Sequence, residues 1–161
     1  MTNWDWARVA LSLLLCSAAA IDVILRRIPN VLNLVVALGG LAAIMVFFPG
    51  EGWSHALHFV IALVIGAGLF ALRVIGGSNA KLYAAVALWF PLSLAIPLGA
   101  AISLAGVVLL LVYWVAKVFS VGRGGIPRDT ANLRRGLPYG AAIAVGTMLI
   151  AFSASLPASG L

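Results

Sequence analysis

Residues 99–118 read GAAISLAGVVLLLVYWVAKV, a run of twenty residues with a single charge, Lys117. A helix of about 20 residues is about 30 Å long, which is the thickness of the hydrocarbon core of a bilayer. Such a run is stable in lipid rather than in water. This stretch therefore predicts a transmembrane helix.

The composition of the whole chain resembles that of this run. Hydrophobic residues account for 64% of its 161 positions and charged residues for only 9%, whereas a soluble domain carries roughly 25% charged residues. At about 20 residues per span, the chain has room for six spans and no soluble domain. The single cysteine, Cys16, excludes an internal disulfide and a CxxC metal or redox module.

Five further apolar runs complete a predicted all-α bundle of about six transmembrane helices, a single domain over residues 1–161. Proline, glycine or arginine residues separate the runs. The spans are expected at residues 6–25, 31–48, 54–75, 80–97, 99–118 and 138–156. The shortest separation is Pro97-Leu98-Gly99, between the fourth span and the fifth.

Basic residues are distributed unequally between the two sides of this predicted bundle. With six spans, the turns after spans 1, 3 and 5 lie on one side and account for nine of the ten Lys and Arg residues. The positive-inside rule places that side in the cytoplasm and both termini outside it. Because orientation explains the net charge of +6, no nucleic-acid partner is expected.

The longest basic loop, residues 120–137, is rich in glycine and arginine. We expect it to bind the anionic headgroups of membrane lipids. A role in gating the access of a substrate is the alternative.

One acidic side chain, Asp22, lies near the end of the first apolar run. An ionisable group within a span is costly and is by default a candidate for function. The structural alternative is an ion pair with Arg26, four residues later on the same helix face. On this residue alone both interpretations remain open. His55 and His58 lie near the opposite side without an obvious third ligand, so no metal is expected there.

Three short motifs lie at the predicted cytoplasmic ends of the spans. They are Asp22 followed after five residues by Ile28-Pro29-Asn30, then Gly76-Gly77-Ser78-Asn79-Ala80-Lys81-Leu82, and then Pro138-Tyr139-Gly140. In this order they resemble the type IV prepilin peptidases, intramembrane aspartic peptidases of the GxGD type, whose pattern is an aspartate before IPN, then GxGDxKL, then PYG. The short chain looks most like the small prepilin peptidases of Tad/Flp pilus systems.

This resemblance implies a pair of catalytic aspartates, at Asp22 and at position 79, that share one proton. One activates water as a base, while the other, protonated, polarises the scissile carbonyl. The implied substrate is a prepilin, whose basic leader is cleaved at the cytoplasmic face of the bacterial inner membrane, ahead of an apolar helix. No cofactor is implied. Gly76, Ser78, Lys81 and the other two motifs correspond to supporting positions.

The chain departs from the family pattern at position 79, where Asn79 stands in place of aspartate, and at Ser78, which stands in place of glycine. An asparagine side chain has nearly the shape of aspartic acid and donates a hydrogen bond, but it cannot exchange a proton. We therefore predict an inactive or severely impaired aspartic endopeptidase, through a natural or an engineered substitution. Two other functions stay open: a non-catalytic prepilin-binding protein, and a small transporter with Asp22 as its ion site.

Overall fold

Six α-helices and one short 3₁₀ helix form the part of the chain that the computed structural model describes, residues 3–121 and 139–153. The α-helices are α1 (Asn3–Leu25), α2 (Asn30–Phe47), α3 (Gly52–Ala71), α4 (Gly77–Ala87), α5 (Ala95–Val121) and α6 (Tyr139–Ser153), and the 3₁₀ helix is Leu92–Leu94. No strand occurs within these two described ranges. The predicted all-α fold is confirmed.

Four segments are long and apolar enough to cross a membrane. They are Asp5–Leu25, Asn30–Phe47, Gly52–Ala71 and Leu92–Ala116. Helix α6 is apolar but has 15 residues, and α4 has only 11, which corresponds to about 16 Å of helix. Helix α4 is therefore too short to cross a bilayer by itself. Pro138 and the basic loop from residue 122 onward lie outside the described residues.

The break predicted at Pro97-Leu98-Gly99, between spans at 80–97 and 99–118, is wrong. Helix α4 ends at Ala87, and α5 begins at Ala95 and continues through Pro97 and Gly99. Pro97 falls in the first turn of α5, where a helix does not need the N–H group that proline lacks. The actual break is at residues 88–91, where Pro91 disfavours a helical conformation in the preceding residue.

Each of the first three helices buries one narrow face and exposes the remainder of its surface. The buried residues recur every three or four positions, as one face of a helix requires. Exposed side chains such as Ile24, Met45 and Val64 are apolar, which suits contact with lipid. The buried faces consist of Ala7, Leu11, Leu15, Ala18 and Asp22 in α1, Asn33, Val36, Gly40 and Ala43 in α2, and His55, His58, Ala62 and Gly66 in α3.

Helix α4 lies within the bundle and packs against α2, α3 and α6. Residues 84–91, which include the end of α4 and the break after it, are all buried. Glycines allow the close approach of neighbouring helices, since Ala80 packs on Gly66 of α3 and the Trp89 indole covers Gly40 of α2. Small residues at such contacts are typical of helices that associate in lipid, where no hydrophobic force drives them together.

Side chains from α3 satisfy the backbone of the break. Nδ1 of His55 lies 2.9 Å from the Leu88 carbonyl oxygen, and Nδ1 of His58 lies 2.9 Å from that of Phe90. Because a carbonyl oxygen can only accept, each Nδ1 carries a proton and donates it. The Leu92 N–H donates to Ser54 Oγ over 2.9 Å. Non-helical backbone is tolerated at membrane depth only with such partners, so the two histidines stabilise the break.

Replacing His55 with phenylalanine is expected to destabilise the bundle by about 1–3 kcal/mol, the cost of leaving a buried carbonyl without its donor. A phenyl ring keeps the stacking on Phe48, whose ring centroid lies 5.2 Å from that of His55. Thermal unfolding in detergent measures the change. The control is Val60→Leu, at an exposed position of the same helix. Equal stability of the two variants would contradict this role of His55.

Two arginines end helices in the left-handed backbone conformation. Arg26 follows α1 with φ of 55°, and Arg73 follows α3 with φ of 59°. After α3 the Arg73 N–H donates to the Phe70 carbonyl and the Val74 N–H to that of Leu69, both over 2.9 Å, which is the hydrogen-bond pattern of a Schellman motif. The two helices therefore stop sharply, and each stop places a basic residue just beyond the helix end.

Candidate functional site

Asp22 is the last member of the buried face of α1, and its side chain is only 3% exposed. Spacings of three and four residues from Ala7 onward bring it to the same side of the helix as Leu15 and Ala18. Its Oδ2 accepts a hydrogen bond from the backbone N–H of Gly140, over 2.7 Å. Arg26, one turn further on, is close enough to interact with it electrostatically. The Asp22 carboxylate is therefore held between α1 and the start of α6.

Gly140 must lack a side chain because the carboxyl group of Asp22 lies directly against its backbone. A Cβ at this position would lie 2.8 Å from Oδ2 and 3.0 Å from Cβ of Asp22, which is too close for either atom to remain in place. The preceding Tyr139 packs its phenol on Gly106 of α5, where a Cβ would meet the hydroxyl oxygen at 3.1 Å. Residues 139 and 140 thus join α6 to two other helices.

Gly140→Ala is expected to displace the Asp22 carboxyl group and to destabilise the bundle by about 1–3 kcal/mol, as overpacking does in a well-packed interior. Gly68→Ala is the control, since nothing lies within 4 Å of a Cβ there, and an alanine inside a helix is favourable by roughly 0.5–1 kcal/mol. Thermal unfolding in detergent compares the two. A Gly140→Ala variant as stable as the Gly68→Ala variant would show that the contact is loose.

Asn79 lies in the first turn of α4 and is buried. Its backbone N–H donates to the Gly76 carbonyl over 3.0 Å, and its Oδ1 is buried without a hydrogen-bond partner in the described part of the chain. Gly76 precedes the helix in an extended conformation, with φ of −72° and ψ of 146°, and no side chain caps the helix start. The first turn of α4 therefore carries a buried amide with an unused acceptor.

Two polar contacts tie the start of α2 to the start of α4. Lys81 Nζ donates to Asn30 Oδ1 over 3.1 Å at the surface, and Asn33 Nδ2 donates to the Ser78 carbonyl oxygen over 3.3 Å in a more buried position. Pro29 forms the N-cap of α2. The motif at residues 28–30 thus contacts the motif at residues 76–82, through the hydrogen bond between Asn30 and Lys81.

Ile28, the first residue of its motif, has a purely packing role, because its side chain lies in the main hydrophobic core. Asn33, which lies three residues after Asn30, was missed by the sequence analysis. The signal that could have found it is its place on the buried face of α2, three residues before Val36 and seven before Gly40. A polar residue on an otherwise apolar face of a membrane helix is a candidate for function.

The end of the bundle that holds Asp22, Asn33 and Asn79 is called the polar end below. Helix α6 packs against both α1 and α4, and its first turn contacts Asp22. Among the described residues no hydrogen bond joins Asp22 to Asn79, and Oδ1 of Asn79 has no partner there. Of the acidic residues that the structure describes, Asp5, Asp22 and Glu51, only Asp22 is buried. The described part of the polar end therefore contains one buried carboxylate, that of Asp22, and two buried side-chain amides, those of Asn33 and Asn79.

The fold and this site define a class of protein: a multi-pass helical membrane protein with a buried carboxylate at one end of its bundle. Residues 9–117 match the type IV leader peptidase family. Because this match covers more than half of the chain, the chain belongs to that family, and the family predicted from the motifs is confirmed. No curated protein and no solved structure matches the chain.

The family match includes Asp22, Asn79 and Lys81 but ends before α6. The contact between Gly140 and Asp22 therefore comes from the tertiary structure alone. Membership of the type IV leader peptidase family implies that the protein is a protease.

Proposed function

We propose that this chain has the architecture of a prepilin leader peptidase of the intramembrane aspartic type, in which Asn79 occupies the position of the second acid. The substrate class is a type IV or Flp prepilin, with a basic leader joined to an apolar helix. Cleavage would occur at the cytoplasmic face, beside Asp22. With an amide at position 79, the chain is inactive or severely impaired.

The observation that carries this proposal is the burial of Asp22 at the polar end, where its carboxylate accepts the Gly140 N–H over 2.7 Å. Burial of an acid among apolar helices is costly, and an ionisable residue found there is by default a candidate for function. Asn79 supports the same interpretation, since it too is buried and its Oδ1 has no partner among the described residues. Both residues occupy the positions that the motifs assign to the two acids.

The predicted loss of activity follows from the chemistry of the amide. In a two-carboxylate site one group is ionised and takes a proton from water, while the other is protonated and donates to the scissile carbonyl. The Asn79 Nδ2 can donate a hydrogen bond, but it neither delivers nor recovers a proton during the cycle. The Asp22 carboxylate alone can therefore begin the reaction without completing it.

The distribution of charge supports a cytoplasmic location of the polar end. Arg26 and Arg73 follow the helices that end there, and Lys81 lies close to the start of α4. Glu51, His55 and His58 lie at the opposite end. Positive residues are retained on the cytoplasmic side of a membrane protein. The basic leader of a prepilin would be presented to the peptidase on that same side.

The test is cleavage of a cognate prepilin by the purified chain and by its Asn79→Asp variant, reconstituted in lipid. The unmodified chain is expected to leave the prepilin intact, and the variant is expected to release the leader. Mass spectrometry of the product locates the cleaved bond. Absence of any gain on Asn79→Asp, in a variant that folds normally, would refute the assignment of position 79.

A second function, prepilin binding without cleavage, is favoured by Asn79 itself. The amide keeps nearly the shape of aspartic acid and a hydrogen-bond donor, so recognition could persist when proteolysis does not. Co-purification of a prepilin with both the unmodified chain and the Asn79→Asp variant, without cleavage by either, would favour this function over the first.

A further inference from the structure

Asn33 is a buried polar residue that has no part in the proposed catalytic pair at positions 22 and 79. Its side chain is 6% exposed, and it lies on the buried face of α2 with Val36, Gly40 and Ala43. Its Nδ2 donates to the Ser78 carbonyl oxygen over 3.3 Å, while its Oδ1 is buried and has no partner in the described ranges. The side-chain amide of Asn33 therefore has a partner for its donor group and none for its acceptor oxygen.

This arrangement of Asn33 contributes little to the stability of the bundle. In a regular α-helix the Ser78 carbonyl already accepts a hydrogen bond from the N–H group four residues later, so it does not need Asn33. The unpartnered Oδ1 is itself destabilising, because a buried acceptor without a donor has lost its hydration. An apolar side chain of the same size would pack at this position without that loss.

The contact does restrain the turn that carries position 79. Ser78 immediately precedes Asn79, and the turn begins with Gly76 and Gly77, which restrict the backbone little. No side chain caps the start of α4. The other link, from Lys81 to Asn30, is exposed and is therefore weaker. Asn33 thus provides a partly buried hydrogen bond between this turn and the neighbouring helix α2.

We propose that Asn33 is a positioning residue: through the Ser78 carbonyl it holds the first turn of α4, and with it the side chain at position 79, in the orientation that catalysis requires. The proposal rests on the proposed peptidase function. It assigns to Asn33 no contact with the substrate and no part in proton transfer. Its role is to limit the motion of the residue that would act as the second acid.

Hydrogen exchange, measured in chains that retain Asn79, tests the restraint without any assay of activity. Asn33→Leu, which keeps the side-chain volume and removes the donor, is expected to speed exchange of the N–H groups of Asn79 and Ala80 about fivefold, as the loss of one hydrogen bond allows. Val35→Leu, on the exposed face of the same helix, is the control and is expected to leave these rates unchanged. Unchanged exchange in Asn33→Leu would overturn the proposal.

Kinetics in the Asn79→Asp chain separate positioning from stability. Asn33→Leu is expected to lower kcat about 10- to 100-fold, the effect of misplacing a reacting group, with little change in KM and with thermal stability unchanged or raised. Asn33→Gln, which keeps an amide donor on a longer side chain, should recover part of kcat. A parallel fall of thermal stability and kcat, or an unchanged kcat, would overturn the proposal.

Failure of Asn79→Asp to cleave would refute the proposed function and not the restraint. In that case the exchange rates alone decide whether Asn33 holds the turn.

Discussion

The Asn79→Asp chain is expected to cleave a prepilin at least about 10²- to 10⁴-fold faster than the unmodified chain, the range that a positioned acid–base group contributes. The reason is that the substitution changes one amide into a carboxyl group of nearly the same shape. Because the described part of the polar end otherwise contains only the Asp22 carboxylate, the substitution would supply the second carboxyl group of the proposed proton-sharing pair. Leader release, measured at several substrate concentrations, gives kcat and KM separately.

The matched control exchanges the two groups. A chain with both Asp22→Asn and Asn79→Asp has the same atoms as the unmodified chain, but with its single carboxylate in α4. This chain is expected to be as inactive as the unmodified one, because residues that act as a unit are not additive. If it cleaves as fast as the Asn79→Asp chain, Asp22 has no catalytic role and the dyad is refuted.

The pH dependence gives an independent check on the pair. Two interacting carboxyl groups lose their protons in two macroscopic steps, and only the singly protonated pair is active. The rate of the Asn79→Asp chain is therefore expected to fall on both the acidic and the basic side of a maximum. A profile with a single limb would indicate that only one group titrates during catalysis.

Of the substitutions proposed here, Gly146→Ala is expected to destabilise the bundle most. The loss is about 3 kcal/mol or more, at the upper end of what overpacking costs. A Cβ at Gly146 of α6 would lie 2.5 Å from Cα and 2.6 Å from the backbone nitrogen of Ile102 in α5. Backbone atoms cannot turn away as a side chain can, so α5 and α6 would have to separate. The separation would also disturb Tyr139 and Gly140, at the start of the same helix.

Gly99→Ala is the matched control for this prediction. It lies on α5, and a Cβ there would meet only the Tyr83 hydroxyl oxygen at 3.7 Å, an ordinary contact distance. Thermal unfolding in detergent and the yield of folded protein should therefore fall for Gly146→Ala and not for Gly99→Ala. A stable Gly146→Ala chain would show that the two helices are not in close contact at this point.

The apolar segments and the location of Asp22 could be predicted from the sequence because both depend on local properties. Long apolar runs form helices in lipid whatever their neighbours, since the backbone must satisfy its own hydrogen bonds there. The spacing of Ala7, Leu11, Leu15, Ala18 and Asp22 already puts the acid on one helix face. The motifs then indicated the family, and the match over residues 9–117 confirmed it.

The position of the helix break was predicted wrongly because proline has two opposite effects. Pro97 is compatible with the first turn of a helix, whereas Pro91 prevents the residue before it from continuing one. Without the tertiary structure, neither residue shows which effect applies. The choice depends on side chains from another helix, His55 and His58, which provide donors for the carbonyls of the non-helical segment.

The sequence alone determined that this chain is an apolar helical protein, with one acid, Asp22, near the end of its first apolar run and an asparagine, Asn79, at the position that the motif resemblance assigns to a second acid. Only the tertiary structure decided what surrounds those two groups. Asp22 is bound by Gly140, 118 positions away, and the turn of Asn79 is bound by Asn33, 45 positions from Ser78. Hydropathy and helical periodicity extend over a few turns, whereas these contacts depend on which helices lie side by side. For that reason the sequence showed where the buried carboxylate lies, and only the packing of the helices showed what holds it.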